Sequence, residues 1–406
     1  MFKTEYILSI ICMILLCTVF SQAQQIGGAS VGSEICFSCH KDQANDWGTT
    51  WHSRSHVDSN PLYKAMVNYM SRITYQPEAG VLVECAQCHN PKMTIKEIAD
   101  KNSFALSQAL NIKTLQAEKI EASVNDETIK DGISCNICHN VAKINETSNL
   151  QMRGFRAVEW GSPDTIYGPF EDDGRARVHK SLKKEHFTDS NKLCMVCHFG
   201  GERNNINIYA TGIEYVKSGS QEKCAECHMS TQRQGVISPE IKKSGTTPQV
   251  RNIRSHLFAS ARNSNILEDT IELTTAKSGN NFVVNLKNLT PHKAPTGFGG
   301  RSINVKVEFK NASGSVINTK TYALETIYVD KKGQESIPYL ATSIKSDTRL
   351  NANEIRKLTI AKPSGAVLAT VSLTYRLASE RLLKIINFSD PVFDKEYPVK
   401  SIDTAL

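Results

Sequence analysis

Five short stretches of this 406-residue chain repeat one pattern. Cys36, Cys39 and His40 stand in EICFSCHKD, followed by Cys85, Cys88 and His89, Cys135, Cys138 and His139, Cys194, Cys197 and His198, and Cys224, Cys227 and His228. With 12 Cys and 11 His in the chain, random placement gives about 0.01 copies of Cys-x-x-Cys-His. Two thiols three positions apart reach one edge of the same macrocycle, and the imidazole of the next residue falls beneath a metal at its centre. That is the chemistry of covalent haem c attachment, with the histidine as axial ligand. Five disulfides would not require a His after every second Cys. Zinc would use each Cys-x-x-Cys as half a tetrahedral site, and five halves pair badly. The chain is therefore read as holding five covalently attached haem c groups.

Each iron has a second axial position. Six histidines remain once the motifs are counted: His52, His56, His179, His186, His256 and His292. Two imidazoles per iron suit electron transfer, because the ligand geometry changes little on reduction. An open position suits chemistry on a small ligand instead. Of the close pairs, His56 is preferred to His52 and His179 to His186, with His256 and His292 serving two further irons. His292 lies in NLTPHKAPTGFGG, where Pro291 and Pro295 stiffen the loop and Gly297, Gly299 and Gly300 permit close backbone approach. A surface role is the plain alternative for any one of the six. Arg153, Arg156 and Tyr167 are polar candidates for a pocket at an open haem.

The elements that must place these residues fall into two parts. Residues 1–23 read as an export signal: Lys3, an apolar run from Ile7 to Phe20, and Ser21 and Ala23 before a cleavage site near Gln24. Lipidation at Cys17 is a weaker alternative, since Leu15 and Leu16 before it are large. No later apolar run is long enough to span a bilayer, so the exported chain is expected to be soluble. Residues 31–262 form the pentahaem part, mainly α and irregular, with helical patterns at Asn60–Ile73 and Ser107–Ser123 and a loop at Gly161–Gly174. Residues 265–400 contain no Cys and carry about seven alternating stretches, from DTIELTT to AVLATVSLTYRL, separated by turns such as KSGNN and DKKGQ. They read as an all-β immunoglobulin-like sandwich. The formal net charge is +7, and each ferric haem with ionised propionates adds about −1, so the loaded protein is nearly neutral and nucleic acid is not an expected partner.

CFSCHKDQANDWGTTWHSRSH resembles the first haem segment of the cytochrome c-554-like multihaem cytochromes, in which a W-x-x-S-x-H stretch ends in a distal ligand, here His56. YGPFEDDGRARVHKS resembles the family's segment ending in the distal ligand His179. CAECHM is similar to its last motif, RSHLF has the look of the family's segment at His256, and TPHKAPTGFGGR resembles the loop that opens attached β-domains. The resemblance covers most of residues 31–400. The family's tetrahaem member has one haem fewer and no β-domain, and pentahaem nitrite reductases carry a Cys-x-x-Cys-Lys motif that this chain lacks. The expected function is electron carriage outside the cytoplasm, in the periplasm or at the cell surface of a bacterium. Redox proteins would be its partners, with membrane redox complexes and self-association as further contacts. The alternatives are a haem enzyme acting on a small nitrogen or sulfur compound at one five-coordinate haem, or a subunit of an extracellular cytochrome assembly.

Overall fold

The computed structural model describes residues 32–147, 149–162, 164–171, 178–239 and 249–406. The leader expected over 1–23 lies outside them. Helix Pro61–Thr74 shows how the sequence builds an element. The Asn60 side chain accepts a hydrogen bond from the Tyr63 N–H at 3.0 Å, Pro61 occupies the first turn, where no backbone donor is needed, and Tyr75 ends the helix at a φ of 56°. Leu62, Met66, Val67 and Met70 are buried, and their spacing puts them on one face. That face joins the core of the C-terminal strands, in one cluster with Phe282 and Phe309.

The 107–123 stretch, expected to be partly helical, contributes to two helices, Lys101–Ala109 and Leu115–Val124. Asp100 and Thr114 cap their starts through side-chain oxygens, and Asn111 breaks the run at a φ of 52°. The expected loop at 161–174 contains a strand, Thr165–Gly168, parallel to Lys180–Lys183. The surrounding Gly and Pro masked the β-favouring triplet Thr165, Ile166 and Tyr167.

From Ile271 the chain turns to antiparallel strands. Ile271–Ser278, Asn281–Asn288 and Ile355–Ala361 form one sheet with Asn281–Asn288 in the middle. Gly279, at a φ of 58°, opens the tight turn between the first two. Val316–Leu324, Ser302–Lys310, Leu368–Arg376 and Tyr397–Ala405 form a second sheet in that order. Ile303, Val305, Val307 and Phe309 are buried at a period of two. The Phe309 ring meets Phe282 of the other sheet edge-on, with centroids 5.8 Å apart. A small third sheet pairs Glu335–Ser336, Thr326–Val329 and Ser343–Asp347. All seven expected strands are present among the described residues, and Glu335–Ser336, Ser343–Asp347 and Tyr397–Ala405 are added. Pro398 hid the last of these; it is tolerated because Tyr397–Ala405 is an edge strand.

Candidate haem centre

Cys85, Cys88 and His89 end the helix Glu78–His89, and Cys194, Cys197 and His198 end the helix Ser190–His198. Cys135–His139 and Cys224–His228 are short helices in themselves. At the first motif the Cys39 and His40 N–H groups donate to the Cys36 carbonyl at 3.2 and 2.9 Å, carrying the helical turn through the motif. Positions i, i+3 and i+4 share a helix face, so each motif presents two thiols and one imidazole in the same direction. All fifteen of these side chains line one branched cavity of about 2760 Å³. That is about 550 Å³ per motif, within the roughly 300–1,000 Å³ of sites that enclose ligands of this size.

The histidines test the fit to haem directly. A metal–imidazole bond is about 2.0 Å, and the ring centre lies about 1.2 Å beyond the bonded nitrogen, so two imidazoles on one iron hold their centroids about 6.4 Å apart. His40 and His179 are 6.4 Å apart, His139 and His256 6.1 Å, and His198 and His52 6.0 Å. Backbone carbonyls anchor several rings at Nδ1: Ser55 for His89 at 3.1 Å, Tyr167 for His139 at 2.7 Å and Ala259 for His228 at 2.9 Å. An Nδ1–H held this way leaves the Nε2 lone pair for a metal. Burial, reinforced by neighbouring imidazoles, lowers His52 to about 3 and His40, His139 and His198 to about 4. These rings are therefore neutral at pH 7, as ligation requires.

The motifs also touch one another. The Cys36 thiol is a neighbour of Cys135, Cys88 of Cys197, and Cys194 of Cys224. Cys138 lies within electrostatic reach of Cys194 and Cys197. The first motif therefore abuts the third, the third abuts the fourth, and the fourth abuts both the second and the fifth.

Residues 56–239 match the family described as outer membrane cytochrome MtrC/MtrF-like, domains II/IV. The cytochrome c-type protein NapC of Haemophilus influenzae is 28% identical over 149 residues, which is 34% of this chain and 61% of NapC. The chain thus spans less than two thirds of that relative's length. The crystal structure of a penta-heme cytochrome c552 from Thermochromatium tepidum superposes with a TM-score of 0.69 at 20% identity, covering 93% of this chain and 99% of that one. The protein is a multihaem c-type cytochrome. The shared fold extends over both the motif-bearing half and the strands.

The cytochrome places its remaining histidines unequally. His52 lines the cavity and His56 does not, the reverse of the preference drawn from sequence. Helix Lys41–Gly48 stops at Gly48 and the chain continues in bends and turns, so the two rings do not share a helix face. His56 is buried elsewhere, and its Nδ1 accepts the Asp58 N–H at 3.2 Å. His186 lines the cavity with a buried, unpartnered Nε2, but its ring packs on Phe187 and no motif histidine faces it at ligand separation. His292 lines the cavity from the β side and feels the charge of His228. Its Nδ1 pairs with the Lys293 carbonyl at 3.0 Å and with Thr290 Oγ1 at 3.2 Å.

Aromatic side chains that spacing did not reveal steer these rings. Phe187 stacks on His139 at 5.1 Å, and Tyr63 stacks on His89 at 4.5 Å. Phe258 meets His52 edge-on at 4.5 Å and His256 at 6.1 Å. Its φ of 45° is unusual for a residue with a side chain. The nearest signal in the sequence is that Phe187 and Phe258 follow His186 and His256 by one and two residues.

Proposed function

We propose that the protein carries electrons through five covalently held haem c groups, most of them with two histidine ligands, outside the cytoplasm. The three facing imidazole pairs carry this reading. When bound, haem supplies one-electron chemistry. The chain's part is to fix each ring with thiols and imidazoles, exclude water, and keep neighbouring sites in contact. The order of motif contacts gives a route from the first motif through the third to the fourth, with branches to the second and fifth. His292 completes the fifth site from an immunoglobulin-like sandwich over 265–400, which shares an apolar cluster with the pentahaem part at 31–262. Redox proteins of the periplasm or cell surface, membrane complexes among them, deliver and accept the electrons, and nucleic acid plays no part. Electron paramagnetic resonance of the ferric protein tests this: a carrier gives low-spin signals that nitrite and hydroxylamine leave unchanged.

A second reading rests on the second motif. Among the described residues no imidazole faces His89 at ligand separation. The motif's neighbours are Tyr63 and Tyr209, whose hydroxyl is 3.8 Å from Cys88 Sγ. On this reading a small nitrogen or sulfur compound reacts at that haem, and the protein is an oxidoreductase. A high-spin signal of one haem per chain that shifts with nitrite or hydroxylamine selects it, and the absence of such a signal excludes it.

A further inference from the structure

Arg153 precedes the 3-10 turn Gly154–Ala157 and was a candidate for a haem pocket, yet it does not line the cavity, whereas Gly154, Phe155 and Arg156 do. Its turn is pressed onto the second motif: a Cβ added at Gly154, whose φ is +54°, would stand 1.8 Å from the Gln87 carbonyl oxygen. Its guanidinium lies 3.9 Å from the ring centre of Phe199, the residue directly after His198. Arg153 therefore bridges the second and fourth motifs, whose thiols Cys88 and Cys197 are neighbours.

Among the described side chains, none balances the charge at this bridge. Arg153 is 6% exposed. Nη2 donates to the Thr147 carbonyl, Nε has no partner, and no carboxylate pairs with it among the described residues. The titratable groups whose charge it feels are Tyr209 and Cys88. An arginine does not shed its proton to escape burial, and a buried charge without a counter-ion is costly to keep. If packing alone were required, an apolar side chain would cover Phe199 at lower cost.

We propose that Arg153 is a fixed positive charge that raises the reduction potentials of the haems held by the second and fourth motifs. A cation in a poorly screened interior favours the state with the added electron. Arg153 is thus a tuning residue acting through space, and it biases electrons towards the point where the route branches. This rests on the reading that both motifs carry haem, so the haem count is measured first: a parent protein without haem at either motif refutes that reading and overturns the proposal with it.

The test is a spectroelectrochemical titration of the five-haem protein and of Arg153→Met and Arg153→Lys. The Met variant is expected to move at least one midpoint potential to a more negative value, and the Lys variant to keep the parent's potentials. Unchanged potentials in Met, or equal shifts in Met and Lys, overturn the proposal, the second outcome because packing rather than charge would then be the cause. If Arg153→Met does not retain five haems, Arg153→Gln replaces it. Haem loss from both makes Arg153 a structural residue and overturns the proposal as well.

Discussion

Replacing Glu214 with Ala tests the joint between the motif-bearing half and the strands. Glu214 lies in helix Thr211–Ser218, and its side chain is 7% exposed. Oε1 accepts from Arg349 Nη1 at 2.9 Å, and Oε2 accepts from Thr296 Oγ1 at 2.5 Å and the Lys293 N–H at 3.2 Å. Breaking a buried ion pair from one side typically costs about 3–5 kcal/mol. Here Arg349 keeps Asp347, bonded at 2.9 and 2.8 Å, so most of its charge stays compensated. What remains is the half-buried Lys293 N–H deprived of its acceptor, at about 1–3 kcal/mol for such a group, while the Thr296 hydroxyl keeps Thr211 Oγ1 at 3.1 Å. The expected loss is about 2 kcal/mol, which lowers the urea midpoint by about 0.7 M or less for a slope near 3 kcal/mol/M. The Lys293 amide next to His292 also loses its anchor, so one low-spin haem is expected to gain high-spin character. A loss below about 0.5 kcal/mol with an unchanged spectrum refutes the idea that this cluster holds the His292 loop in place.

Two further perturbations separate neighbouring residues and protonation states. His52→Ala is expected to convert one haem from low to high spin, whereas His56→Ala should leave the spin states alone and cost about 1–3 kcal/mol through its orphaned bonds; magnetic resonance and urea titration read the two effects. Burial alone would raise the Asp347 carboxyl, but hydrogen bonds and charge from Arg349 and Lys293 outweigh it and hold the group well below the usual carboxylate range. With an unfolded value of about 3.9, the Asp347 contribution is complete above about pH 4 and is lost as the pH falls further. Asp347→Asn should remove that part of the acid sensitivity, as measured by urea midpoints between pH 5 and 3.

The haem-attaching residues were legible because the pattern is contiguous: Cys, Cys and His in one turn carry their geometry with them. The histidines outside the motifs were legible as candidate ligands only as a set. Whether His52 or His56 turns inward depends on how the chain leaves Gly48, and the i, i+4 spacing misled because it presumes a helix that has already ended. The inner strands announced themselves through alternation, as in Ile303, Val305, Val307 and Phe309. Tyr397–Ala405 did not, because an edge strand tolerates Pro398 and charge. Contacts such as Phe258 on His52 and Arg153 on Phe199 join residues 206 and 46 positions apart, and no local pattern encodes them.

The apolar face of helix Pro61–Thr74 has a consequence for manufacture. Leu62, Met66, Val67 and Met70 belong to one apolar cluster with strands that begin at Ile271 and end at Ala405, and their helix packs on the late helix Glu380–Ile386. A chain made from its N-terminus therefore carries this face bare while more than half its length is still to come. All five of its cysteine motifs become available for thioether formation before the Ile271 strand exists. Cutting the gene after the last motif would not yield a lighter conductor. It would leave an oily strip beside the second haem site, inviting the truncated chains to stick together, so this sequence is best regarded as one indivisible unit.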